Sequence, residues 1–168
     1  MRAVLSVGSN MSDSRALLRG VRDAFRDELV AASPLYATPP WGVTDQPDFL
    51  NAVLIVEVSA TPLELLRRGQ RLEQEAGRVR QRRWGPRTLD VDVVQVHDGE
   101  GVELRSDDPV LTLPHPHAHE RAFVLVPWLA ADPDAVLGGE PLAEHLARID
   151  AAEVAEVRPA GAFGDGER

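Results

Sequence analysis

Hydrophobic and polar positions recur along this chain with two different periods, and the switches between them mark its elements. Arg2 to Val7 is apolar enough for a buried strand and is stopped by Gly8-Ser9-Asn10. Ser12-Asp13 can cap a helix on which Leu17, Leu18, Val21, Phe25 and Leu29 recur at helical spacing. Val30 to Tyr36 predicts a strand broken at Pro34, and Thr38-Pro39-Pro40-Trp41-Gly42 predicts a rigid irregular loop. Phe49 to Val58 is rich in β-branched residues, as a central strand would be. Thr61-Pro62-Leu63-Glu64 combines a capping box with proline at the first helical position. The helix it starts carries Leu63, Leu66 and Leu72 and is expected to fade near Gly77. Thr88 to Val96 reads as the next strand, Asp98-Gly99-Glu100-Gly101 as a turn, and Val102 to Leu104 as a returning arm. Further on, Pro114-His115-Pro116-His117 is a stiff loop, Glu120 to Ala130 a helix despite Pro127, and Pro141 to Ile149 a short helix.

The order strand, helix, strand, strand, helix, strand predicts an α+β fold, the ferredoxin-like split βαβ sandwich, with an antiparallel sheet and flanking helices on one face. One domain is expected over residues 1–157. The tail 158–168, rich in Gly and Ala with interspersed acids, is expected to be disordered. The fold hosts many activities, so function has to come from particular residues.

Composition narrows the classes. The 168 residues suit one domain, and the absence of cysteine excludes disulfides, thiolate metal sites and cysteine nucleophiles. No apolar run approaches the roughly 18 residues of a membrane span, and the N-terminal strand pattern is too brief for a signal peptide, which points to the cytoplasm. All 18 basic residues are arginine, so lysine-dependent phosphate loops and Schiff bases are excluded. A formal net charge of -9 argues against nucleic acid or membrane as partner.

Against that acidic background, residues 78–92 stand out. Arg78, Arg80, Arg82, Arg83 and Arg87 crowd around Trp84 and Gly85-Pro86, and the segment runs into a strand with Asp90 and Asp92. Residues two apart on a strand share a face, so the two carboxylates converge on one side about 7 Å apart. Carboxylate oxygens suit Mg²⁺, and guanidinium forks suit phosphate. Together they suggest a site for a metal-bound polyphosphate, with a mobile arginine lid able to close over it. A solvated charged loop beside a half-buried strand is the plainer alternative. Thr38 to Gly42 with Phe49-Leu50-Asn51 could form a slot for a flat ring: Asn51 offers a donor and an acceptor, and Phe49 can stack. His115 suits a phosphate contact, whereas His117 and His119 are expected to be solvated. Glycine-rich nucleotide signatures are absent.

These segments resemble the 6-hydroxymethyl-7,8-dihydropterin pyrophosphokinase family. The resemblance rests on Gly8-Ser9-Asn10, Tyr36 to Gly42, Asp45 to Asn51, Gln70 to Glu73, Gly77 to Arg80, Arg83 to Asp92, Pro114-His115 and Arg121-Ala122-Phe123, spread over most of residues 1–130. It implies a ferredoxin-like fold and transfer of pyrophosphate from ATP to the pterin alcohol, releasing AMP, with two Mg²⁺ ions. By resemblance, Asp90 and Asp92 hold the ions, and Arg78 and Arg87 stabilise charge during transfer. Arg80, Arg83 and Trp84 belong to the catalytic loop. Gln70, Glu73, Thr112, His115 and Arg121 line the nucleotide side. Thr38, Pro40, Trp41, Phe49, Asn51 and Phe123 form the pterin pocket, with Phe49 and Phe123 as stacking faces. Phe49 stands where relatives commonly carry tyrosine, and Pro116 where some do. The implied partners are ATP and the dihydropterin alone, with the enzyme a monomer. Two competing readings, an RNA-binding module on the same fold and a metal-dependent phosphohydrolase, would be separated by the nucleotide product.

Overall fold

A computed structural model describes residues 1–11, 13–39, 47–80 and 89–164, apart from the side chains of 78–80. Strand β1 (Arg2–Ser9) is almost wholly buried and lies inside the main sheet, flanked on both sides by other strands. It leads to α1 (Ser14–Ala24), a 3-10 turn, and then β2 (Leu29–Ala32) and β3 (Tyr36–Thr38). The long strand β4 (Phe49–Glu57) follows, then α2 (Pro62–Arg80) and β5 (Asp90–His97). Helix α2 begins on the expected capping box: the Thr61 N–H donates to Glu64 Oε1 (2.8 Å) and the Glu64 N–H to Thr61 Oγ1 (3.2 Å). It runs past Gly77 to Arg80, one turn further than the sequence predicts.

Pro34 divides one edge of the sheet. Strand β2 pairs with the far half of β4 and β3 with its near half. Ser33 bridges the break: its N–H donates to the Val53 carbonyl and its Oγ accepts the Val53 N–H, both at 2.9 Å. A buried backbone group at the break therefore keeps a partner. With β4 antiparallel to β1, and β1 antiparallel to β5, the strand order is that of the ferredoxin-like sandwich.

The two faces of the sheet are covered differently. Ala3, Leu5 and Val7 of β1, Leu54 and Val56 of β4, and Val91 and Val93 of β5 pack against α1 and α2 through Leu18, Val21, Phe25 and Leu65. Gly69 lets α2 approach β5 closely, since a Cβ there would sit 3.0 Å from Val91 Cγ1. The opposite face was expected to be free of helices, and it is not. Val4, Ile55 and Val94 meet Val124, Leu125 and Trp128 of α3 (Ala122–Ala131) and Leu142 of α4 (Leu142–Ala147). Helix α3 is apolar nearly all round and buried, so packing offsets the backbone bond that Pro127 cannot make.

Small elements complete the chain, none of them foreseen: the ribbons β6 (Ser106–Asp107) with β7 (Thr112–Leu113), and β8 (Val136–Leu137) with β9 (Glu140–Pro141), and helix α5 (Ala151–Ala155). No described helix is long and apolar enough to cross a membrane.

The expectation of a disordered tail from Arg158 is corrected as far as residue 164. Strand β10 (Arg158–Pro159) joins the outer edge of β3, and Phe163 is only 4% exposed within the α1-side core. The Arg22 guanidinium lies 5.2 Å from the Phe163 ring centroid. A composition poor in apolar residues misleads here because one aromatic anchors the segment. Phe163→Ala is expected to cost about 3 kcal/mol, lowering Tm by roughly 6–12 °C for a chain of this size. Thermal denaturation checks this, and an unchanged Tm would show that the segment adds nothing to the core.

Candidate active site

Helix α3 and its neighbours cover only one end of their sheet face. Beyond Val4, the same face of β1 continues through Ser6 and Gly8, where side chains become small. Ser6 stands between Val53 of β4 and Asp92 of β5, and Gly8 between Asn51 and Asp90. This bare end is the floor of a cavity of about 530 Å³, also walled by Thr38, Phe49, Arg121 and Phe123. Seven of the residues singled out in the sequence are thus brought together: Thr38, Phe49, Asn51, Asp90, Asp92, Arg121 and Phe123.

The heterocycle-sized end is built on β3, β4 and α3. Thr38 and Phe49 are cross-strand partners, and Phe123 projects from the first turn of α3. Asn51 is buried, and its Nδ2 donates to Thr38 Oγ1 at 3.3 Å. That bond directs Oδ1 toward Gly8, where a Cβ would lie only 2.7 Å from it. Any side chain at position 8 would have to displace the amide beside it.

The carboxylate end is built on β5. Asp90 and Asp92 face the cavity on one side of the strand, while Val91 between them packs into the α1-side core. Glu73, expected on the nucleotide side, accepts the Val91 N–H through Oε2 at 2.8 Å and ties α2 to the strand midway between the two aspartates. Among the described residues no group of three or more His, Asp or Glu side chains is set to hold a metal. A pair of carboxylates without a protein cage fits Mg²⁺, which takes one or two carboxylates and completes its shell with water and phosphate oxygens.

The remaining candidates are placed around this centre or outside it. His115 is half-buried beside Asp92 and Arg121. Burial pushes its pKa below the ordinary imidazole value; Asp92 opposes the shift, and Arg121 and His117 reinforce it. The His117 N–H donates to His115 Nδ1 at 3.2 Å, so the neutral ring carries its proton on Nε2. Gln70 Oε1 accepts from Arg67, and Thr112 Oγ1 donates to the Asp108 carbonyl; neither lines the cavity. The backbone of Arg78 and Arg80 forms the last turn of α2. Pro40, Trp41, Arg83, Trp84 and Arg87 lie outside the described residues.

The cavity also has walls given no role in the sequence: Ser6, Glu120 and Glu153, with Gly8 of the resembling segment and His117, which is exposed as expected but borders the cavity. Ser6 was legible in principle, as a polar residue in phase with Gly8 on an otherwise apolar strand. Glu153 sits on α5, whose signal is the Asp150 N-cap with Glu153 three residues on, a pattern too short to stand out from the apolar periodicity. The described lining thus carries four carboxylates (Asp90, Asp92, Glu120 and Glu153) against one guanidinium, Arg121.

Fold and cavity together describe an α+β domain with an acidic, aromatic-walled cavity. Residues 4–133 match the family model described as 7,8-dihydro-6-hydroxymethylpterin-pyrophosphokinase. The 2-amino-4-hydroxy-6-hydroxymethyldihydropteridine pyrophosphokinase of Mycobacterium tuberculosis is 49% identical over 166 residues, covering 94% of this chain and 88% of the relative. The enzyme of the same name from Pseudomonas aeruginosa is 42% identical over 155 residues, covering 90% of this chain and 91% of the relative. Among solved structures, the Plasmodium falciparum HPPK-DHPS crystallised with pteroate superposes with a TM-score of 0.61 at 11% identity, which speaks for the fold alone. That match covers 88% of this chain and 42% of the larger one. The chain belongs to the 7,8-dihydro-6-hydroxymethylpterin-pyrophosphokinase family.

Gly8→Ala is expected to displace the Asn51 amide and cost about 1–3 kcal/mol through overpacking. Denaturant titration reads the energy and the Asn51 side-chain NH₂ resonances read the displacement. Unmoved resonances would show that the two groups do not constrain each other.

Proposed function

We propose that the protein transfers pyrophosphate from ATP to 6-hydroxymethyl-7,8-dihydropterin through the cavity on the open end of its sheet. The observation that carries this reading is the meeting, over Gly8, of an aromatic-walled slot and a paired-carboxylate edge in a member of this family. The pterin lies between Phe49 and Phe123, with Asn51 reading its edge. Offset stacking on two rings suits a flat conjugated bicycle. Thr38 holds the Asn51 amide in the orientation that leaves Oδ1 to accept from a ring N–H. Pro40 and Trp41 complete the slot.

Asp90 and Asp92 would hold two Mg²⁺ ions, which would supply screening for the charge of the triphosphate. Four carboxylates around the described cavity would otherwise repel such an anion. The other cations come from the chain itself: Arg78 and Arg87 meet charge that grows as the pterin hydroxymethyl oxygen displaces AMP, and Arg80, Arg83 and Trp84 close over the phosphates. Arg121 and neutral His115, donating from Nε2, complete the nucleotide side with Gln70 and Thr112. The gain comes from positioning and charge neutralisation, as in phosphoryl transfer generally. We include in this reading a monomer that works on dissolved substrates in the cytoplasm. The net charge of -9 supports the exclusion of nucleic acid.

The deciding experiment mixes protein, Mg²⁺, ATP and the dihydropterin alcohol and identifies the nucleotide released. AMP formed only when pterin is present is the expected result; ADP or free phosphate without pterin would make the protein a hydrolase. Asp92→Ala should bring AMP formation to background with the fold intact. Arg87→Ala should lower kcat by on the order of 10³-fold with a smaller effect on ATP affinity. A fall confined to ATP affinity would make Arg87 a binding residue only.

A further inference from the structure

The segment after α5 lies along the side of β3 that faces away from β4. β3 is three residues long, and without a second neighbour it would be a short edge held by β4 alone. Strand β10 supplies that neighbour, setting Arg158 opposite Ala37 and Pro159 opposite Tyr36. Two more backbone bonds extend the contact: the Ala160 N–H donates to the Leu35 carbonyl and the Leu35 N–H to the Gly161 carbonyl, both at 2.8 Å. Arg15 of α1 donates to the Ala160 and Ala162 carbonyls, and Phe163 anchors the end in the core.

The same segment reaches across to β4. Arg158 Nη2 donates to Asp48 Oδ2 at 2.8 Å, and Asp48 immediately precedes Phe49. β10 thus holds the chain neighbour of each member of the Thr38–Phe49 cross-strand pair: Ala37, beside Thr38, through the β3 ladder, and Asp48, beside Phe49, through the ion pair. Thr38 and Phe49 line the heterocycle end of the cavity. The carboxylate end is on β5, three strands away in the order β3-β4-β1-β5, or about 14 Å at the usual strand spacing.

We infer that the segment Arg158–Phe163 is a positioning strap for the pterin slot, and that Arg158, through Asp48, sets the affinity for the pterin without touching it. This inference rests on the function proposed above. The strap acts on one substrate because it holds one edge of the sheet. Arg158 and Asp48 are both largely in solvent, with side chains 56% and 44% exposed. Breaking their pair therefore leaves global stability nearly unchanged, and an effect on binding can be read by itself.

The test measures KM for pterin and for ATP, kcat, and Tm. Arg158→Ala should raise the pterin KM by about 3-fold, with kcat, the ATP KM and Tm essentially unchanged. Arg158→Lys should keep most of the wild-type value, and the exchange Asp48→Arg with Arg158→Asp should restore it. Ala160→Pro, which removes the N–H bonded to Leu35, should raise the pterin KM further, by about 10-fold, again sparing ATP. With ATP saturating, raising salt should narrow the difference in pterin KM between wild type and Arg158→Ala, because it screens the pair that only the wild type has. Unchanged pterin KM in both Arg158→Ala and Ala160→Pro would overturn the inference. So would a parallel change in both KM values and kcat, which would make the segment a general stability element. Wild-type AMP formation is the control: its failure would sink the functional reading itself, whereas its success with unmoved KM values would sink the strap alone.

Discussion

Incomplete cover over one sheet face is the constraint on which the rest of this structure depends. A sheet face left bare exposes its apolar side chains, so the chain buries Val4, Ile55 and Val94 under Trp128 and Leu125 of α3. The cover stops short of the ends of β1 and β4 that carry Ser6, Gly8 and Asn51. There the strand changes character instead: its side chains become small or polar, and the floor tolerates contact with a ligand. The α1 and α2 face has no such interruption, and its continuous core keeps the strands in register while the other face is left open.

The charge distribution in the cavity follows from its geography. The described walls carry far more carboxylate than guanidinium, yet the co-substrate of this family is a triphosphate. That combination is workable only if the missing positive charge arrives with the substrate, as metal, or from the segment joining α2 to β5. Both ends of that segment are anchored. Arg80 closes α2, Leu89 is buried, and Glu73, two turns before the helix end, is bonded to the backbone between the two aspartates. Glu73 thereby ties the later turns of α2 to the strand that carries the two aspartates.

Much of this was legible in the residues, and the boundary of legibility has a physical cause. The capping box at Thr61 and Glu64, the break at Pro34 and the shared face of Asp90 and Asp92 are local patterns, and local patterns survive into the fold. The bond from the Val91 N–H to Glu73 was not legible, because its partners stand eighteen positions apart, which no spacing rule reveals. The segment at Arg158–Phe163 was taken for a loose end because its composition is poor in apolar residues. Its order comes from non-local partners, Leu35, Arg15, Arg22 and Asp48, contributed by three other parts of the chain. Helix α5, by contrast, carries a local signal, Asp150 accepting from the Ala152 N–H at its N-terminus, which the hydrophobic pattern did not bring out.

The site can then be understood as two half-sites kept at a set spacing by a strand that contributes almost no bulk. Asn51 and Asp90 flank Gly8 on either side, which separates their strands by about 10 Å. A ring resting over β3 and β4 and a phosphate chain resting over β5 would meet above β1, where Ser6 and Gly8 leave the space between them open. A larger side chain at either position would fill the place where the two substrates have to touch. In-line transfer demands close approach of an alcohol oxygen to phosphorus with little tolerance for misplacement. On the function proposed, the smallness of Ser6 and Gly8 on β1 matters as much as the carboxylates beside them, because the register of its ladders sets the spacing of the two half-sites.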